Sequence, residues 1–336
     1  MSNLADVVDR LLEVPIAPSF TRIGHDIRRR LDHWGESTPA SLDGRVMVVT
    51  GATSGLGAAT ATRLAVAGAT VVLVGRDAAR TGRAAADVAA HSGRSVVAPV
   101  IADLSELDAV RAAAAELRDR FGRLDVVVHN AGALLADRRS TSTGDEATVA
   151  SQVLGPFLLT SLLLPVLSVG PRPGRVLTMS SGGMYSTGLH VTDLQMTVDT
   201  YRGTEQYARA KRAQVTLNEL WARRVDRSAV VFHAVHPGWA DTPGVAEALP
   251  TFRTILRPLL RTPDQGADTM VWLAADDGDP LATSGGFWLD RRCRTIHRLG
   301  STRRSDTPAR RRQLWDLVVA RTGADVPPDP APATAP

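Results

Sequence analysis

Cysteine is nearly absent from this sequence, since Cys293 is the single cysteine among 336 residues. One thiol excludes an internal disulfide and excludes a metal site built from several cysteine ligands. The composition therefore favours a protein of a reducing compartment, with Cys293 as an inert thiol.

Long hydrophobic runs are also missing. The most apolar stretch, "FLLTSLLLPVLSV" at 157–169, is too short to span a bilayer and contains Pro165, so it predicts a core or interface helix. The first residues carry acids and lack a continuous apolar stretch followed by a small-residue cleavage site, which predicts that there is no signal peptide. We therefore expect a cytoplasmic protein.

The sequence has no large excess of charge, with a formal net charge of +4. Its arginines concentrate in residues 22–30 and 291–312, so the central region is close to neutral. A nucleic-acid groove through the core would require a basic surface in that region. We therefore expect no nucleic-acid partner.

From residue 45 onward, valine-rich segments alternate regularly with helical patterns. The valine-rich segments are "RVMVVT", "TVVLVG", "SVVAPVI", "LDVVVHNAG", "GRVLTMSS" and "AVVFHAVHPG". Continuous Val/Ile runs followed by helices predict strands that are buried on both faces of a parallel sheet. The series is typical of an α/β, doubly wound fold, whose ligand crevice lies at the carboxyl ends of the strands.

Both ends of the chain lie outside this series. Residues 1–41 predict a helical extension with two amphipathic stripes, Leu4/Val7/Val8/Leu11/Leu12 and Ile23/Ile27/Leu31/Trp34, the second beside arginines. The stripes either pack onto the domain or make residues 1–36 a peripheral membrane contact. Residues 291–323 form a basic segment and a helix, and the Pro/Ala-rich residues 324–336 predict a disordered tail.

The turn after the first predicted strand, "TGATSGLG" at 50–57, is rich in glycine. Gly51, Gly55 and Gly57 allow a tight turn and a close approach of a pyrophosphate, and the following helix offers unpaired N–H groups. A lone glycine-rich turn is a weak signal, but its place between a strand and a helix is the context that dinucleotide binding requires. The G-x-x-x-G-x-G spacing differs from the commoner G-x-G-x-x-G.

The end of the second predicted strand, "LVGRD", bears on the choice between NADP and NAD. NAD-binding proteins usually carry an acid there for the ribose hydroxyls, whereas an arginine such as Arg76 can pair with a 2′-phosphate. Alternatively, Arg76 is a solvated loop residue and Asp77, which also suits a helix N-cap, binds the ribose. The charge argument favours NADP. Asp103 in "IADLS" could hold the adenine amino group or serve near an N-cap.

These segments together resemble the short-chain dehydrogenase/reductase family over about residues 42–290. The resemblance is carried by "TGATSGLG", "NAG" at 130–132, Ser181, "YARAK" at 207–211 and "HPGWADT" at 236–242. "SSGGMYS", "YARAKRAQV" and "QGADTMVWLA" are similar to the retinol-dehydrogenase-like branch, and within it to the orphan dehydrogenase/reductase member twelve group. The resemblance implies one Rossmann-type domain with about seven parallel strands in the order 3-2-1-4-5-6-7, and assembly as a homodimer or homotetramer.

The resemblance also implies roles for individual residues. Tyr207 would exchange a proton with the substrate oxygen, Lys211 would bind the nicotinamide ribose and lower the phenol pKa, and Ser181 would hydrogen-bond the same oxygen. Thr242 would contact the nicotinamide end of the cofactor. The cofactor would be bound by Gly51, Thr53, Ser54, Gly55, Leu56, Gly57, Arg76, Asp103, Leu104, Asn130, Ala131, Gly132, Tyr207, Lys211, Pro237, Gly238 and Thr242.

Simple physical chemistry agrees with the roles of Tyr207 and Lys211. A phenol with an unperturbed pKa near ~10 holds its proton too tightly to act as a base at neutral pH, whereas a nearby cation favours the phenolate. Lys211 lies one helical turn after Tyr207 and so shares its helix face. A half-buried helix aromatic would leave Ser181 and the glycines unexplained as a set.

One catalytic position departs from the family pattern. Many members carry an asparagine in the fourth helix that holds a proton-relaying water, and here the aligned segment "SQVLGPF" places Gln152 there. Glutamine offers the same amide on a longer arm, so the relay either persists with altered geometry or weakens.

Two segments are expected to shape the substrate pocket. The stretch between Ser181 and Tyr207 is about twice the common family length, and its residues 185–206 predict a loop over the cleft. Residues 243–262 contain Leu249, Phe252, Ile255 and Leu259, which form an apolar wall or pack on the core. His129, His233 and His236 lack metal-ligand spacing and predict structural roles, so we expect no metal.

Two functions of different classes remain open. The first is an NADP(H)-dependent oxidoreductase that interconverts a carbonyl and an alcohol on a lipophilic small molecule. The second is a catalytically weakened nucleotide-binding sensor or scaffold that has kept the fold. Gln152 favours the second slightly, whereas the retention of Ser181, Tyr207 and Lys211 favours the first.

Overall fold

The computed structural model of the chain describes residues 2–34, 41–93 and 99–329. Its centre is an eight-stranded sheet in the order β3-β2-β1-β4-β5-β6-β7-β8. The strands are β1 Val46–Thr50, β2 Thr70–Gly75, β3 Val100–Ile101, β4 Val126–His129, β5 Gly174–Met179, β6 Val230–Val235, β7 Gly286–Leu289 and β8 Arg292–Cys293. The first seven are parallel, which confirms the predicted α/β, doubly wound fold.

Helices cover both faces of the sheet and extend it at both ends of the chain. They are α1 Ser2–Glu13, α2 Ile16–Phe20, α3 Arg22–Leu31, α4 Gly55–Val66, α5 Ala78–Ser92, α6 Leu107–Arg120, α7 Ala147–Val149, α8 Gly155–Leu167, α9 Gly203–Arg224, α10 Pro243–Ala248, α11 Pro250–Leu256, α12 Pro263–Ala275, α13 Asp279–Ala282, α14 Gly300–Ser305 and α15 Pro308–Thr322. A π-helical turn, Ala150–Leu154, joins α7 to α8. Short 3₁₀ turns occupy Gly182–Ser186, Val198–Thr200 and Arg257–Leu259.

The valine-rich segments form strands because they are buried on both sides. Val48 of β1, for example, is paired with Val72 on one side and Val127 on the other, and all three are fully buried. Two large apolar clusters lie on the opposite faces of the sheet. β-branched side chains suit such central positions, where neighbours pack against both faces.

The seven parallel strands follow the predicted order, and the structure adds an eighth, antiparallel strand. β8 pairs antiparallel with β7 through a tight turn in which Asp290 and Arg291 both have φ of 54°. A positive φ is uncommon outside glycine, so surrounding contacts must hold this turn. The basic segment after residue 290 was predicted without a strand because a two-residue strand has no sequence periodicity.

The N-terminal extension is bound to this turn by buried charges. Arg28 donates to Asp9 at 2.7 Å and to Asp290 at 2.6 Å. Arg261 donates to both oxygens of Asp290, at 2.6 and 2.9 Å. Since a buried charge requires a paired and hydrogen-bonded partner, these contacts fix α1 and α3 to the domain.

At the other end of the chain, α15 packs on α8 and α9. Trp315 of α15 contacts Phe157 and Trp221, with ring centroids 5.0 and 4.9 Å apart respectively. Residues 324–329 lie inside the predicted tail but are ordered against the domain, because Ala324 is buried in this cluster and Ser161 donates to the Asp325 carbonyl. This corrects the predicted tail over those residues, and 330–336 lie outside the described residues.

One helical stretch, Ala147–Leu167, is long and apolar enough to cross a membrane by length and composition alone. Most of its apolar window, 72%, is buried inside the protein. A buried core helix satisfies the same criterion, so this stretch is only a weak indication of a membrane span.

Candidate active site

The glycine-rich turn opens at the carboxyl end of β1. Gly51 has φ of 65°, and a Cβ on it would lie 2.6 Å from the Ala131 Cα, so only glycine fits this crossing. Ser54 precedes α4 and is exposed, and its side chain makes no cap hydrogen bond. The first N–H groups of α4 are therefore available to an anion, as a pyrophosphate site requires.

Asn130 braces this turn. Its side-chain amide donates to the carbonyls of Thr50 and Gly51, both at 3.1 Å. The Thr50 hydroxyl in turn accepts from the backbone N–H groups of Asn130 and Ala131. The predicted cofactor residue Asn130 thus connects the ends of β1 and β4, and its amide hydrogens are used within the protein.

At the end of β2, the two candidate charges are in different situations. Asp77 caps α5, since its side chain accepts from the Arg80 N–H at 2.8 Å. Arg76 is exposed and has no hydrogen-bond or ion-pair partner within the described ranges. Gly75 lies close to Thr53, because a Cβ on Gly75 would be 3.4 Å from the Thr53 methyl group. Arg76 therefore follows directly after a residue that packs against the glycine-rich turn.

Asp103 has a partly local role after β3. Its Oδ1 accepts from the N–H and the hydroxyl of Ser105, at 2.9 and 2.7 Å. The second carboxylate oxygen, Oδ2, has no hydrogen-bond partner within the described ranges and can accept from a ligand. The next residue, Leu104, is buried, and its carbonyl packs against Gly155.

The segment after β6 brings the last predicted cofactor residues to the same edge. Thr242 accepts from the Val245 N–H at 3.3 Å and so caps α10. Its side chain also faces the glycine-rich turn, because a Cβ on Gly55 would lie 3.3 Å from the Thr242 Cβ. Gly238 has φ of 76° and packs on the Arg261 guanidinium, whose Nη1 donates to the Pro237 carbonyl.

The predicted catalytic residues meet between β5 and α9. Tyr207 and Lys211 share one face of α9, with the Lys211 Nζ 5.3 Å from the centre of the Tyr207 ring. The Lys211 Nζ donates to the carbonyl of Met179, the last residue of β5, at 2.8 Å. Ser181 follows two residues later and lies near enough to the Tyr207 phenol to lower its pKa. Three residues separated in sequence thus converge on one point.

Lys211 is the only lysine in the 336-residue sequence. Burial lowers its pKa to about 7, so the amine and the ammonium are both populated at neutral pH. Burial alone causes this lowering of the Lys211 pKa, and no carboxylate opposes it. Arginine replaces lysine everywhere else in the chain, which suggests that this position requires a group that can titrate.

The pKa of Tyr207 differs from expectation. We expected Lys211 to lower it, but burial raises it to about 12 and the hydrogen bond with Ser181 opposes this only in part. The physical reason is geometric, because Lys211 lies over the ring and is itself partly neutral. In this state the phenol is protonated at neutral pH and is suited to donate.

Gln152 occupies the π-helical turn before α8. Its Nε2 donates to the Ala133 carbonyl at 2.8 Å, and a Cβ on Gly132 would lie 3.0 Å from its amide carbon. Its Oε1 is buried without a hydrogen-bond partner in the described part of the chain. An unpaired buried acceptor is where an ordered water is expected, and π-turns often occur at functional sites.

His129 and His233, two of the histidines at strand ends, have partners inside the protein. His129 contacts Thr160 at 2.8 Å, and His233 accepts from the Trp288 indole at 3.0 Å. Burial lowers the pKa of each to about 4. Within the described ranges, no group of His, Cys, Asp and Glu side chains is arranged to hold a metal ion.

The predicted pocket segments are both structured. Residues 185–206 bury Leu189, Leu194 and Met196, so the long segment is a packed cover and not a free loop. In the other segment Phe252 packs on Trp239 with ring centroids 5.3 Å apart, whereas Ile255 is 70% exposed. The second segment therefore presents apolar surface outward as well as inward.

A polar cavity of about 450 Å³ lies beside this site without including the three catalytic candidates. It is lined by Ser186, Thr187, Arg202, Thr204, Glu205 and Ala208. Its lining comes from the cover segment and from the first turns of α9. The cavity is thus next to Tyr207 in sequence, since Ala208 and Glu205 of the same helix line it.

Sequence reasoning missed two contributors to this edge. Phe20, in the N-terminal extension, lies against His236 with ring centroids 4.2 Å apart. Arg261 donates to the carbonyls of Phe20 and Thr21 and so connects the extension to the segment after β6. No motif marks these contacts, because they join residues that are far apart in the chain.

Comparison with known proteins points in one direction. Residues 45–251 match the profile of the family described as short chain dehydrogenase. The human dehydrogenase/reductase SDR family member 12 is 39% identical over 299 residues, which cover 89% of this chain and 92% of that protein. Retinol dehydrogenase 11 of Mus musculus is 31% identical over 307 residues, which cover 89% of this chain and 93% of the relative.

A solved structure supports the same comparison. A short chain dehydrogenase from Burkholderia cenocepacia in complex with NADP superposes with a TM-score of 0.60 at 25% identity. The match covers 74% of this chain and 96% of that chain.

Proposed function

Because the chain belongs to the short-chain dehydrogenase family, we propose that it is an NADP(H)-dependent oxidoreductase that interconverts a carbonyl and an alcohol. The observation that carries the proposal is the convergence of Ser181, Tyr207 and Lys211 beside the glycine-rich turn. Uncapped α4 N–H groups and the braced Gly51 crossing suit a dinucleotide phosphate.

The bound nicotinamide would supply or accept the hydride, and the side chains of this chain manage the proton. Tyr207 is protonated at neutral pH, because burial raises its pKa to about 12, so it can donate to the oxygen of a substrate carbonyl. Ser181 can contact the same oxygen and orient it. Lys211 would hold the ribose hydroxyls and, when protonated, favour the phenolate needed in the reverse direction.

The preference for NADP(H) over NAD(H) rests on Arg76. Its guanidinium is exposed and uncommitted at the end of β2, while the nearest acid, Asp77, is used in capping α5. An arginine in that position favours a 2′-phosphate through a charge-assisted contact. The Burkholderia structure named above was solved with NADP, which supports the same choice.

A lipophilic substrate is supported by the apolar segment after β6. Trp239 and Phe252 pack edge to face there, and the exposed Ile255 continues the apolar surface. Retinol dehydrogenase 11 is named for a lipophilic alcohol, which is consistent with this class of substrate. The particular carbonyl or alcohol is left to the substrate panel described below.

A catalytically weakened nucleotide-binding sensor is the second candidate. The observation that favours it is Gln152, whose amide nitrogen is bound to the Ala133 carbonyl instead of to a water chain. Such a protein would bind NADPH through the same glycine-rich turn and would turn over no carbonyl substrate. The two candidates therefore differ in chemistry and not in cofactor binding.

We also propose a peripheral membrane contact, with different residues from those expected. The second stripe packs inward, since Trp34 is buried and Ile27 and Leu31 are half-buried. The first stripe faces outward, and half of the exposed large apolar side chains of the described residues lie in the extension. They are Leu4, Val7, Leu11, Val14, Ile16 and Ile23.

Charge segregation in the extension supports a surface of anionic lipid. The acids Asp9, Glu13 and Asp32 face inward and pair with arginines of the body. Arg10, Arg22, Arg29 and Arg30 are exposed and have no partner in the described part of the chain. An apolar stripe beside unpaired arginines suits peripheral binding to an anionic bilayer from the cytoplasm.

Assembly into a homodimer or homotetramer stays a prediction. The apolar faces of α8 and α9, which are candidate pairing surfaces, are largely covered within the chain by Leu314, Trp315 and Val318 of α15. A pairing surface must therefore lie elsewhere. Light scattering at micromolar concentration would report the assembly state, and a strictly monomeric species would contradict the prediction.

The decisive experiment measures NADPH binding and turnover in Tyr207→Phe. The substitution removes only the hydroxyl, so NADPH should still bind, while oxidation of NADPH by a panel of aldehydes, ketones and quinones should fall at least ~10²-fold. Tyr201→Phe is a matched control, because Tyr201 is a half-buried tyrosine before α9 whose hydroxyl bonds Glu146 and not the site. If Tyr207→Phe retains full turnover on every accepted substrate, or the wild type turns over none, the sensor replaces the enzyme.

A further inference from the structure

The turn that carries Ser181 is held by a hydrogen bond from a neighbouring strand. The Gly182 N–H donates to the His236 Nδ1 at 3.1 Å, and the Ser181 Oγ accepts from the Gly183 N–H at 3.1 Å. His236 follows β6 and Ser181 follows β5, which are adjacent in the sheet. The position of the Ser181 hydroxyl therefore depends on the imidazole.

The N-terminal extension reaches the same turn through Phe20. Its ring lies edge to face on the His236 imidazole, with centroids 4.2 Å apart and planes at 86°. A Cβ on Gly182 would be 2.8 Å from the Phe20 ring and 2.8 Å from the His236 Nε2. The ring, the imidazole and the turn are thus in contact with no room for another atom.

Phe20 is itself fixed in place. Its carbonyl accepts from the Trp239 N–H at 2.7 Å and from the Arg261 Nε at 3.1 Å. Arg261 is buried and holds Asp290, the residue that also binds Arg28 of the extension. The contact between Phe20 and His236 therefore belongs to the rigid part of the protein.

The protonation state of His236 indicates which of its contacts stabilises it in this position. Burial, and then the nearby Arg261 charge, lower its pKa to about 3, so the ring is neutral. With Nδ1 accepting from Gly182, the proton must be on Nε2, which is buried without a hydrogen-bond partner within the described ranges. An unpaired buried donor destabilises the folded state. The hydrogen bond that His236 accepts from the Gly182 N–H is therefore the favourable polar contact of this side chain.

We propose that His236 and Phe20 are positioning residues for Ser181, and that the N-terminal extension is therefore part of the catalytic apparatus. The inference rests on the proposed function, because it assigns to Ser181 the contact with the substrate oxygen. His236 holds the Gly182 N–H, and Phe20 prevents the imidazole from moving away. Neither side chain needs to touch the substrate or the cofactor.

The first test compares two substitutions of His236. His236→Leu removes the acceptor and should lower kcat by about tenfold to a hundredfold, the scale of a small misplacement of a reacting group, with the Kd for NADPH unchanged. His236→Asn keeps an oxygen near the place of Nδ1 and should recover most of that loss. His233→Leu is the control. It removes a buried imidazole of β6, the strand before His236, and this imidazole bonds Trp288 and not the Ser181 turn.

The second test asks whether the effect passes through Ser181. In a Ser181→Ala background, His236→Leu should cause little further loss of kcat, because the hydroxyl that it positions is gone. Phe20→Leu should lower kcat severalfold in the wild-type background and have little effect in Ser181→Ala. This variant keeps the inference testable if His236→Leu does not fold.

Three outcomes would overturn the inference. They are an equal fold-loss from His236→Leu in both backgrounds, no recovery in His236→Asn, and wild-type kcat in both His236→Leu and Phe20→Leu. The proposed function is judged separately by Tyr207→Phe. If that variant is inactive while His236→Leu is fully active, only the positioning role is wrong.

Discussion

The side-chain nitrogen of Lys211 lies 5.3 Å from the centre of the Tyr207 ring and donates to the carbonyl of Met179 at 2.8 Å. Burial raises the pKa of the Tyr207 phenol, and the neighbouring Ser181 opposes this only in part. Without a ligand, the two groups therefore hold a neutral phenol and a partly neutral amine. A bound cofactor and substrate would add charge to a site in which burial favours the neutral forms of Tyr207 and Lys211.

The titration of Lys211 can be followed directly, because it is the only lysine in the chain. An amine-reactive reagent should modify Lys211 with a rate that rises through about pH 7, the pKa to which burial lowers this group. NADPH should protect it, since the proposed ribose contact covers the amine. Mass spectrometry of peptides would locate the label and distinguish it from the N-terminus. A rate midpoint near the ordinary lysine value of 10.5 would contradict the prediction.

The same shift predicts how stability depends on pH. The folded pKa of Lys211 is below its ordinary value, so between about 7 and 10.5 the unfolded state binds the proton more strongly. The free energy of unfolding should therefore rise with pH across this range relative to a Lys211→Met variant, which lacks the group. Urea denaturation of both apoproteins at pH 7 and pH 9 measures the difference. The free energy of unfolding of the wild type, taken relative to that of Lys211→Met, should be higher at pH 9 than at pH 7, and a lower value at pH 9 would refute the shift.

The preference for NADPH is predicted to depend on Arg76. Arg76→Ala should weaken NADPH binding and leave NADH binding almost unchanged, because only the 2′-phosphate contact is lost. Such a charge-assisted contact contributes roughly 1.5–3 kcal/mol. Arg83→Ala serves as the control, because Arg83 is an exposed arginine within α5. Isothermal titration with both cofactors gives the affinities, and equal wild-type affinities for NADPH and NADH would show that the assignment is wrong.

Gln152→Asn tests whether the departure from the family pattern matters. Asparagine is one methylene shorter, so the bond to the Ala133 carbonyl should be lost and the amide should be free to hold a water. A faster enzyme would mean that the native relay is impaired, whereas unchanged turnover would mean that glutamine already serves. The measurement is kcat with the best substrate of the panel, together with its solvent isotope effect. Gln214→Asn, whose side chain bonds the Gln152 carbonyl, controls for local disturbance.

The membrane contact is predicted to reside in the outward stripe of α1. Leu4→Ser, Leu11→Ser and Val14→Ser together should abolish salt-sensitive binding to vesicles that contain phosphatidylserine, since these side chains are 67%, 67% and 82% exposed. Ile255→Ser is a control at a second exposed apolar site. Deletion of residues 1–36 is a poorer test, because it also removes Arg28 from buried ion pairs. No binding of the intact protein to anionic vesicles at low salt would eliminate the proposal.

Asp290→Asn should destabilise the protein strongly, because it leaves Arg28 and Arg261 buried with one charge fewer. Breaking a buried pair of this kind costs about 3–5 kcal/mol. Burial raises the pKa of Asp290, but the Arg261 and Arg28 charges outweigh it and lower the value to about 2. The stabilisation is therefore present above the ordinary carboxyl value of 3.8 and is lost as the pH falls toward 2. Urea denaturation with Asp199→Asn, an exposed acid, as control measures both effects.

The sequence by itself determined the fold class and most of the cofactor edge. Unbroken valine runs indicate strands in the centre of a parallel sheet, and the runs of β1, β4 and β5 are followed by the glycines, Asn130 and Ser181 respectively. Since parallel strands end at one edge, these residues had to meet there. The spacing of Tyr207 and Lys211 likewise fixed them on one helix face.

Only the tertiary structure decided the protonation states of Tyr207 and Lys211, the long-range contacts that support the site, and which amphipathic stripe faces solvent. The pKa values of Tyr207 and Lys211 depend on burial, which no spacing reveals. The contact of Phe20 with His236, and the pairing of Arg28 with Asp290, join residues separated by most of the chain. The sequence also left open which amphipathic stripe faces solvent. A stripe predicts an apolar helix face but does not say what that face contacts. Long-range packing settled each of these points, and local sequence carries no record of it.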